Sequence, residues 1–316
     1  MSAALPTAPT MPNFASWLAI ALLLCVLTLT GCSGDDQAAY APTYSSTPPT
    51  LSTRCVLGVH PLHNPQKLFE IYEPLLRHLN ARLGIPHVRL VLEASNTYQD
   101  FDAKLARRAL HFALPNPYRT LTGQDCGYRI FAKMDNDEDF RGVIILRKDS
   151  DIRAVADLRG KSISCPAPTA LAATMMPQLY LRQHGLASLD EVETLYVGTH
   201  DSALMNVLLG RTSAASTWPP AWRAFLAERP EARGILEVRW QTDTLPSNGL
   251  LVRDDVPAAV ADRVRDLILG LDASPEGRDI LRRIGIPRFV AADSQTFAPV
   301  AAFLREFEGL VRPLPD

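Results

Sequence analysis

Two stretches of this chain carry the same alternation, and that alternation restricts the fold more than any other feature. Cys55-Val-Leu-Gly-Val59, Val88-Arg-Leu-Val-Leu92 and Leu110-His-Phe-Ala-Leu114 are short apolar runs that read as buried strands. Between the first two, Leu68, Ile71, Tyr72, Leu75, Leu76, Leu79 and Leu83 recur at helical spacing. Pro65 suits the first turn of that helix, and Gly84-Ile-Pro86 stops it. Phe101, Leu105 and Ala109 mark one face of a second helix, from Tyr98 to Ala109. Strand, helix, strand, helix, strand predicts a parallel sheet covered on both faces. Ligands of such sheets lie beyond the carboxyl ends of the strands. Here those ends are His60 to Asn64 and Pro115 to Tyr118, which makes His60, Asn116 and Tyr118 candidate ligand contacts.

The alternation restarts after Arg147. Lys161 to Cys165 reads as a strand closed by Pro166 and Pro168, since proline cannot donate to a ladder. Thr169 is placed to cap a helix running from Ala170 to His184, with an interruption at Pro177. Thr194 to Val197 is a strand, and Ala203 to Leu209 is a helix ending at Gly210. Ser213 to Thr217 is a further strand, closed by Trp218-Pro-Pro-Ala-Trp222. Tyr128–Met134 and Gly142–Leu146 read as strands around an acidic, solvated turn, Asp135 to Asp139, which lacks EF-hand spacing. Gly249 to Val252 reads as a strand returning to the first unit. Pro257 to Gly309 reads as helices with Leu267, Leu269, Leu281, Phe303 and Leu304 as core.

The joint from Cys165 to Ala170 gathers unpaired N–H groups and the positive end of a helix, which suits an anion or a polar oxygen. Thr169 and Ala170 are therefore candidate contacts, with His200 and Trp218 on the neighbouring joints. Each candidate also has a structural reading. Thr169 and His200 would only cap helices, Asn116 and Tyr118 would only shape a turn, His60 would be a satisfied structural histidine, and Trp218 would be core. Cys165 is either an inert buried thiol or a soft ligand for a thiophilic oxyanion. Serine-hydrolase, zinc-protease, P-loop and dinucleotide motifs are absent, so the expectation is no catalytic set, no metal and no cofactor. A net charge of −2 over 316 residues argues against nucleic acid as partner.

The N-terminus reads as an address. Trp17 to Leu27 is apolar and too short to span a bilayer comfortably, and Leu29-Thr30-Gly31-Cys32 follows it. That order resembles a bacterial lipobox, with residues 1–32 as signal peptide and Cys32 lipidated, although residues 1–16 carry no Lys or Arg; the alternative is a single anchor helix that is never cleaved. Ser33 after the cysteine favours the outer membrane, by resemblance to the sorting rule of Gram-negative lipoproteins. Residues 33–53, rich in Ser, Thr, Pro and Ala, read as a flexible tether. Three cysteines remain beyond it, so at least one is unpaired; Cys55 with Cys126 is the expected pair, leaving Cys165 free.

The order of motifs resembles the PhnD-like phosphate/phosphite/phosphonate substrate-binding proteins of ABC transporters. Gly58-Val-His-Pro-Leu-His-Asn-Pro65, Phe112-Ala-Leu-Pro-Asn-Pro-Tyr118, Ala156-Asp-Leu-Arg-Gly-Lys161, Gly198-Thr-His-Asp201 and Ser247-Asn-Gly-Leu-Leu-Val-Arg253 carry the likeness, over roughly residues 54–305. The resemblance implies an α/β, two-lobed type 2 periplasmic-binding fold with a two-strand hinge and a ligand cleft. Lobe one is then 54–147 plus 247–316, and lobe two is 148–246. It implies a monomeric extracytoplasmic solute-binding lipoprotein, not an enzyme, that captures a small oxyanion or polar solute for an ABC permease. The alternative is a sensor partnering a membrane histidine kinase. The phosphonate binders carry Ser-Thr-Ser where this chain has Pro168-Thr169-Ala170, and their pocket carboxylate falls near Trp218. Each lost charge-assisted hydrogen bond costs ~1.5–3 kcal/mol, so the resemblance implies a ligand other than an ordinary phosphonate. Protonation of His200 near pH ~6.5 is expected to raise anion affinity as pH falls.

Overall fold

The computed structural model describes residues 53–314; Cys32, the apolar run before it and most of the tether lie outside the described residues. The chain opens with β1 (Thr53–Val59), α1 (Pro65–Arg82), β2 (Val88–Ala94), α2 (Tyr98–Ala106), β3 (Phe112–Leu114), α3 (Pro117–Thr122) and β4 (Tyr128–Met134). After a crossing come β5 (Val143–Arg147), β6 (Ser162–Cys165), a wide π-helical turn Leu171–Met175, α4 (Met176–Gln183), β7 (Glu193–Tyr196), α5 (His200–Leu208), β8 (Ala214–Thr217), α6 (Pro219–Glu228), α7 (Ala232–Ile235) and β9 (Leu236–Gln241). The chain then returns through β10 (Gly249–Arg253), α8 (Ala258–Leu269), α9 (Pro275–Ile284), β11 (Phe289–Ala291) and α10 (Ala298–Leu310). Local chemistry sets these bounds. The side chain of Asn64 accepts from the Lys67 amide and caps α1, with Pro65 in its first turn. Asn116 caps α3 in the same way, so the expected Pro115-to-Tyr118 loop is itself a helix start.

Two sheets result. The first runs β11-β4-β10-β3-β1-β2 and the second β7-β6-β8-β5-β9. β1 is parallel to both β2 and β3, as the alternation predicts, while β10 enters antiparallel between β3 and β4. In the second sheet β6 is parallel to β7 and β8, and β5 is antiparallel to β8 and β9. Each sheet has an apolar core on both faces. Leu57, Val59, Leu68 and Tyr72 pack together with Val264 and Ile280 on one face of the first; Phe101, Leu105, Leu110 and Leu251 pack on the other.

The expected lobe boundary at residue 148 shifts. β5 pairs within the second sheet, so the chain crosses between Met134 and Val143, and back between Gln241 and Gly249. The two crossings bond to each other: Gly142 N–H donates to Thr242 Oγ1 at 2.9 Å, and Leu245 N–H to the Phe140 carbonyl at 3.0 Å. The acidic stretch is more than a solvated turn. Asp137 accepts from Lys133 Nζ and from the Ser247 amide, which ties one crossing to the other. The C-terminal helix, assigned to lobe one from sequence, touches both lobes. Phe297, Val300, Leu304 and Phe307 share a buried cluster with Tyr118 on one side and Leu171, Met175 and Leu179 on the other.

Gly142 marks a close approach. A Cβ there would stand 2.6 Å from the Ala172 carbonyl oxygen and 2.6 Å from Pro177 Cδ. Gly142→Ala is expected to destabilise the protein by about 1–3 kcal/mol, read as a lower urea midpoint, because the crossing must move off the π-helical turn. An unchanged midpoint would show that this contact is slack.

The expected Cys55–Cys126 disulfide is absent; Cys55, Cys126 and Cys165 are all free. The reason is topological. Cys55 packs with Leu57 and Val59 on one face of the first sheet, whereas Cys126 packs with Val56 on the opposite face. The remaining departures are small. β9 and β11 add two strands to those the sequence predicts, and α2 ends at Ala106 because Arg108 takes a left-handed conformation, with φ of 60°.

Candidate functional site

The carboxyl ends of β1, β2 and β3 face the second sheet across a cleft. His60 follows β1 and lies 3% exposed. Its Nε2 is 3.2 Å from Asn248 Nδ2, while its Nδ1 is buried without a hydrogen-bond partner among the described residues. Asn248 Oδ1 is likewise buried and unpaired. With the Asn248 amide donating to Nε2, the neutral imidazole carries its proton on Nδ1. Burial, and then the neighbouring His63, push the pKa of His60 down to about 3. Asn248 stands just before β10 and reaches the cleft because that strand runs antiparallel to β3.

Lobe two supplies the facing wall. Thr199 caps α5 by accepting from the Ser202 amide, and His200 is the first residue of that helix. His200 Nδ1 lies 2.9 Å from Thr217 Oγ1 and its Nε2 lies 3.2 Å from the Tyr98 hydroxyl, a contact that spans the lobes. Burial, with His63 and His60 adding to it, holds its pKa at about 3. Trp218 follows β8; its ring meets Phe140 edge-on at 6.0 Å and lies 6.4 Å from the His200 ring. Ala170, Leu171 and Ala172 complete this wall. The first-turn amides of a helical segment have no intrahelical partner and are available as donors.

These groups enclose a cavity of about 20 Å³, roughly room for one water, lined by His60, Tyr98, Asn116, Ala170, His200, Trp218 and Asn248 with Leu62, Phe140, Leu171 and Ala172. No charged side chain is among its lining residues. Five of the seven ligand contacts expected from sequence therefore meet at one point: His60, Asn116, Ala170, His200 and Trp218. Tyr118 does not line it; the ring packs in the apolar cluster with Phe297 and Val300. Thr169 does not cap a helix. Ala170 holds the N-cap position of the π-helical turn, the Thr169 carbonyl accepts from Asn116 Nδ2 at 2.8 Å, and its hydroxyl bonds the Asp102 carboxylate. Cys165 is not among the lining residues either. Its thiol sits 3.0 Å from Ser216 Oγ, and burial pushes its pKa up to about 11, which leaves the inert reading.

Sequence reasoning missed Tyr98, Phe140 and Asn248. Tyr98 had a usable signal, because it stands beyond the carboxyl end of β2, as His60 does for β1.

Residues 57–297 match the family described as ABC transporter, phosphonate, periplasmic substrate-binding protein. The chain belongs to this family. A phosphonates-binding periplasmic protein of Escherichia coli is 21% identical over 183 residues, which is 56% of this chain and 54% of that protein. The chain thus spans about half the length of the curated relative it matches. Among solved structures, a binding-protein component of an ABC phosphonate transporter from Pseudomonas aeruginosa aligns with a TM-score of 0.73 at 17% identity, covering 81% of this chain and 87% of the other. A PhnD protein from Prochlorococcus marinus in complex with methylphosphonate aligns with a TM-score of 0.73 at 17% identity, covering 81% and 98%. This phosphonate-family member therefore has the two-lobed α/β fold of type 2 periplasmic binding proteins, and its family is one of substrate-binding proteins rather than enzymes.

Proposed function

We propose that this protein captures a compact, at most singly charged oxyanion between its lobes and delivers it to an ABC permease. The observation that carries this reading is the pair of unused groups at the buried cavity, the donor His60 Nδ1–H and the acceptor Asn248 Oδ1; the lobes must part by a few ångströms to seat a solute there, since the cavity as it stands has room for about one water. Buried polar atoms are ordinarily satisfied, and an unsatisfied one costs about 1–3 kcal/mol, so a ligand that completes both repays closure. A monoprotonated oxyanion presents an acceptor and a donor together. A dianion would be buried without a countercharge, because the lining holds only neutral groups and both histidines are kept neutral. The Thr169 hydroxyl, the one retained from the phosphonate binders' triplet, is turned to Asp102, which supports a ligand other than an ordinary phosphonate. Isothermal titration with phosphate, phosphite and methylphosphonate, whose monoanions keep a proton to donate, and with methanesulfonate and acetate, which have none and are expected to bind more weakly, tests the reading. Saturable one-to-one binding of at least one is expected, and no heat from any of them with folded protein overturns it.

The family is periplasmic, and we place this member on a lipid anchor at Cys32, with Ser33 favouring the outer membrane. Wild type and Cys32→Ser are expected to differ in mature mass and in detergent partitioning; equal mass and partitioning contradict the anchor.

A further inference from the structure

Tyr98 stands between two spaces of very different size. Its ring packs on Ala167, Ala170 and Ala173 and meets His60 edge-on at 5.7 Å. On one side lies the cavity of about 20 Å³; on the other lies a groove of about 800 Å³, and Tyr98 lines both. The groove runs between α2 and the loop after β6, past Leu105, Pro166, Pro168 and Tyr196. Its volume falls in the range of small-molecule sites, which is about 300–1,000 Å³. Its walls are largely apolar, and its charged members, Asp102 and Arg119, are paired with each other at 3.0 Å. A solute with a long apolar substituent would find room there if the ring did not stand across the way.

We propose that Tyr98 is the specificity-determining residue that limits this cleft to solutes short enough to lie wholly on the His60 side of its ring. The inference rests on the proposed function and adds the residue that sets ligand length. The ring is what excludes. The hydroxyl, 3.2 Å from His200 Nε2, ties the ring to the opposite lobe. Since Tyr98 is the first residue of α2, behind its Thr97 cap, backbone geometry fixes where the ring starts.

The test uses matched pairs with one head group and two substituents: methylphosphonate with hexylphosphonate, methanesulfonate with hexanesulfonate, and acetate with hexanoate. Affinities are measured for wild type, Tyr98→Phe and Tyr98→Ala, each checked for folding by near-UV circular dichroism. In at least one pair, wild type is expected to bind the short member at least tenfold more tightly. Tyr98→Phe keeps that preference because the ring remains. Tyr98→Ala reduces it to near unity or reverses it, and Tyr98→Leu replaces it if the alanine variant does not fold. Equal binding of both members by wild type, or an unchanged preference without the ring, overturns the role of Tyr98 while leaving solute capture intact. Failure of every form to bind any probe overturns both.

Discussion

Acidification from pH 7 to pH 5 is expected to destabilise the closed form by about 4 kcal/mol. The effect comes from His60 and His200, both buried and both held at a pKa of about 3 against an ordinary 6.5. A histidine with a depressed folded pKa is neutral in the closed form while the unfolded or opened chain takes up a proton. Its stabilising effect is complete above pH 6.5 and is lost progressively as pH falls from there toward 3. At pH 5 each contributes a loss of about 2 kcal/mol. The groups facing them are Tyr98, Phe101, Thr217, Trp218 and Asn248, with His63 nearby; Lys67 and Glu228 flank His63. None of those in contact offers a carboxylate to hold the proton. Parting of the lobes exposes both rings, so solute affinity falls in the same window as the melting temperature. This reverses the rise in anion affinity expected from an ordinary histidine. Urea midpoints at pH 7 and pH 5 read the effect, and a His60→Asn variant is expected to show about half of it. A flat profile between those pH values would mean that the rings are solvated.

Trp218→Ala is expected to cost about 3–5 kcal/mol, a fall in melting temperature on the order of 10 °C, and to abolish solute binding. The indole is 7% exposed, packs against Phe140, and lines both the cavity and a second groove of about 260 Å³ that reaches Tyr72, Met134 and Ile286. Without it the cavity opens into that groove and loses a wall. Trp218→Phe restores part of the stability, since an aromatic ring still meets Phe140. A Trp218→Ala protein with wild-type affinity would show that the solute does not touch the indole.

Much of this was legible before any coordinates. The spacing of Leu68, Tyr72, Leu75, Leu76 and Leu79 placed α1, and all five are buried. The rule that parallel strands present ligands at their carboxyl ends pointed to His60 and Asn116, and both line the cavity. Applied to β2, it would also have found Tyr98. Asn248 was out of reach, because it lies at the beginning of a strand; only the antiparallel direction of β10 turns that beginning toward the cleft. Leu236-Glu-Val-Arg-Trp-Gln241 alternates and could have been read as β9, whereas the three residues of β11 are too few to show a period. Thr169 has the right chemistry for a cap, yet the segment opens with a π-helical turn one residue later, and the hydroxyl goes to Asp102, 67 positions upstream in a different lobe. The sign of the pH response was hidden for a related reason. A histidine's pKa follows its burial, and the burial of His60 and His200 exists only once two distant halves of the chain meet.

A crystal structure with the tightest-binding member of the solute panel tests the central claim most directly. The account predicts the solute among His60, Asn248, His200 and Trp218, with an acceptor atom within about 3 Å of His60 Nδ1 and a donor at Asn248 Oδ1. A solute seated instead in the outer groove beside Tyr196, with His60 Nδ1 and Asn248 Oδ1 left untouched, would contradict it.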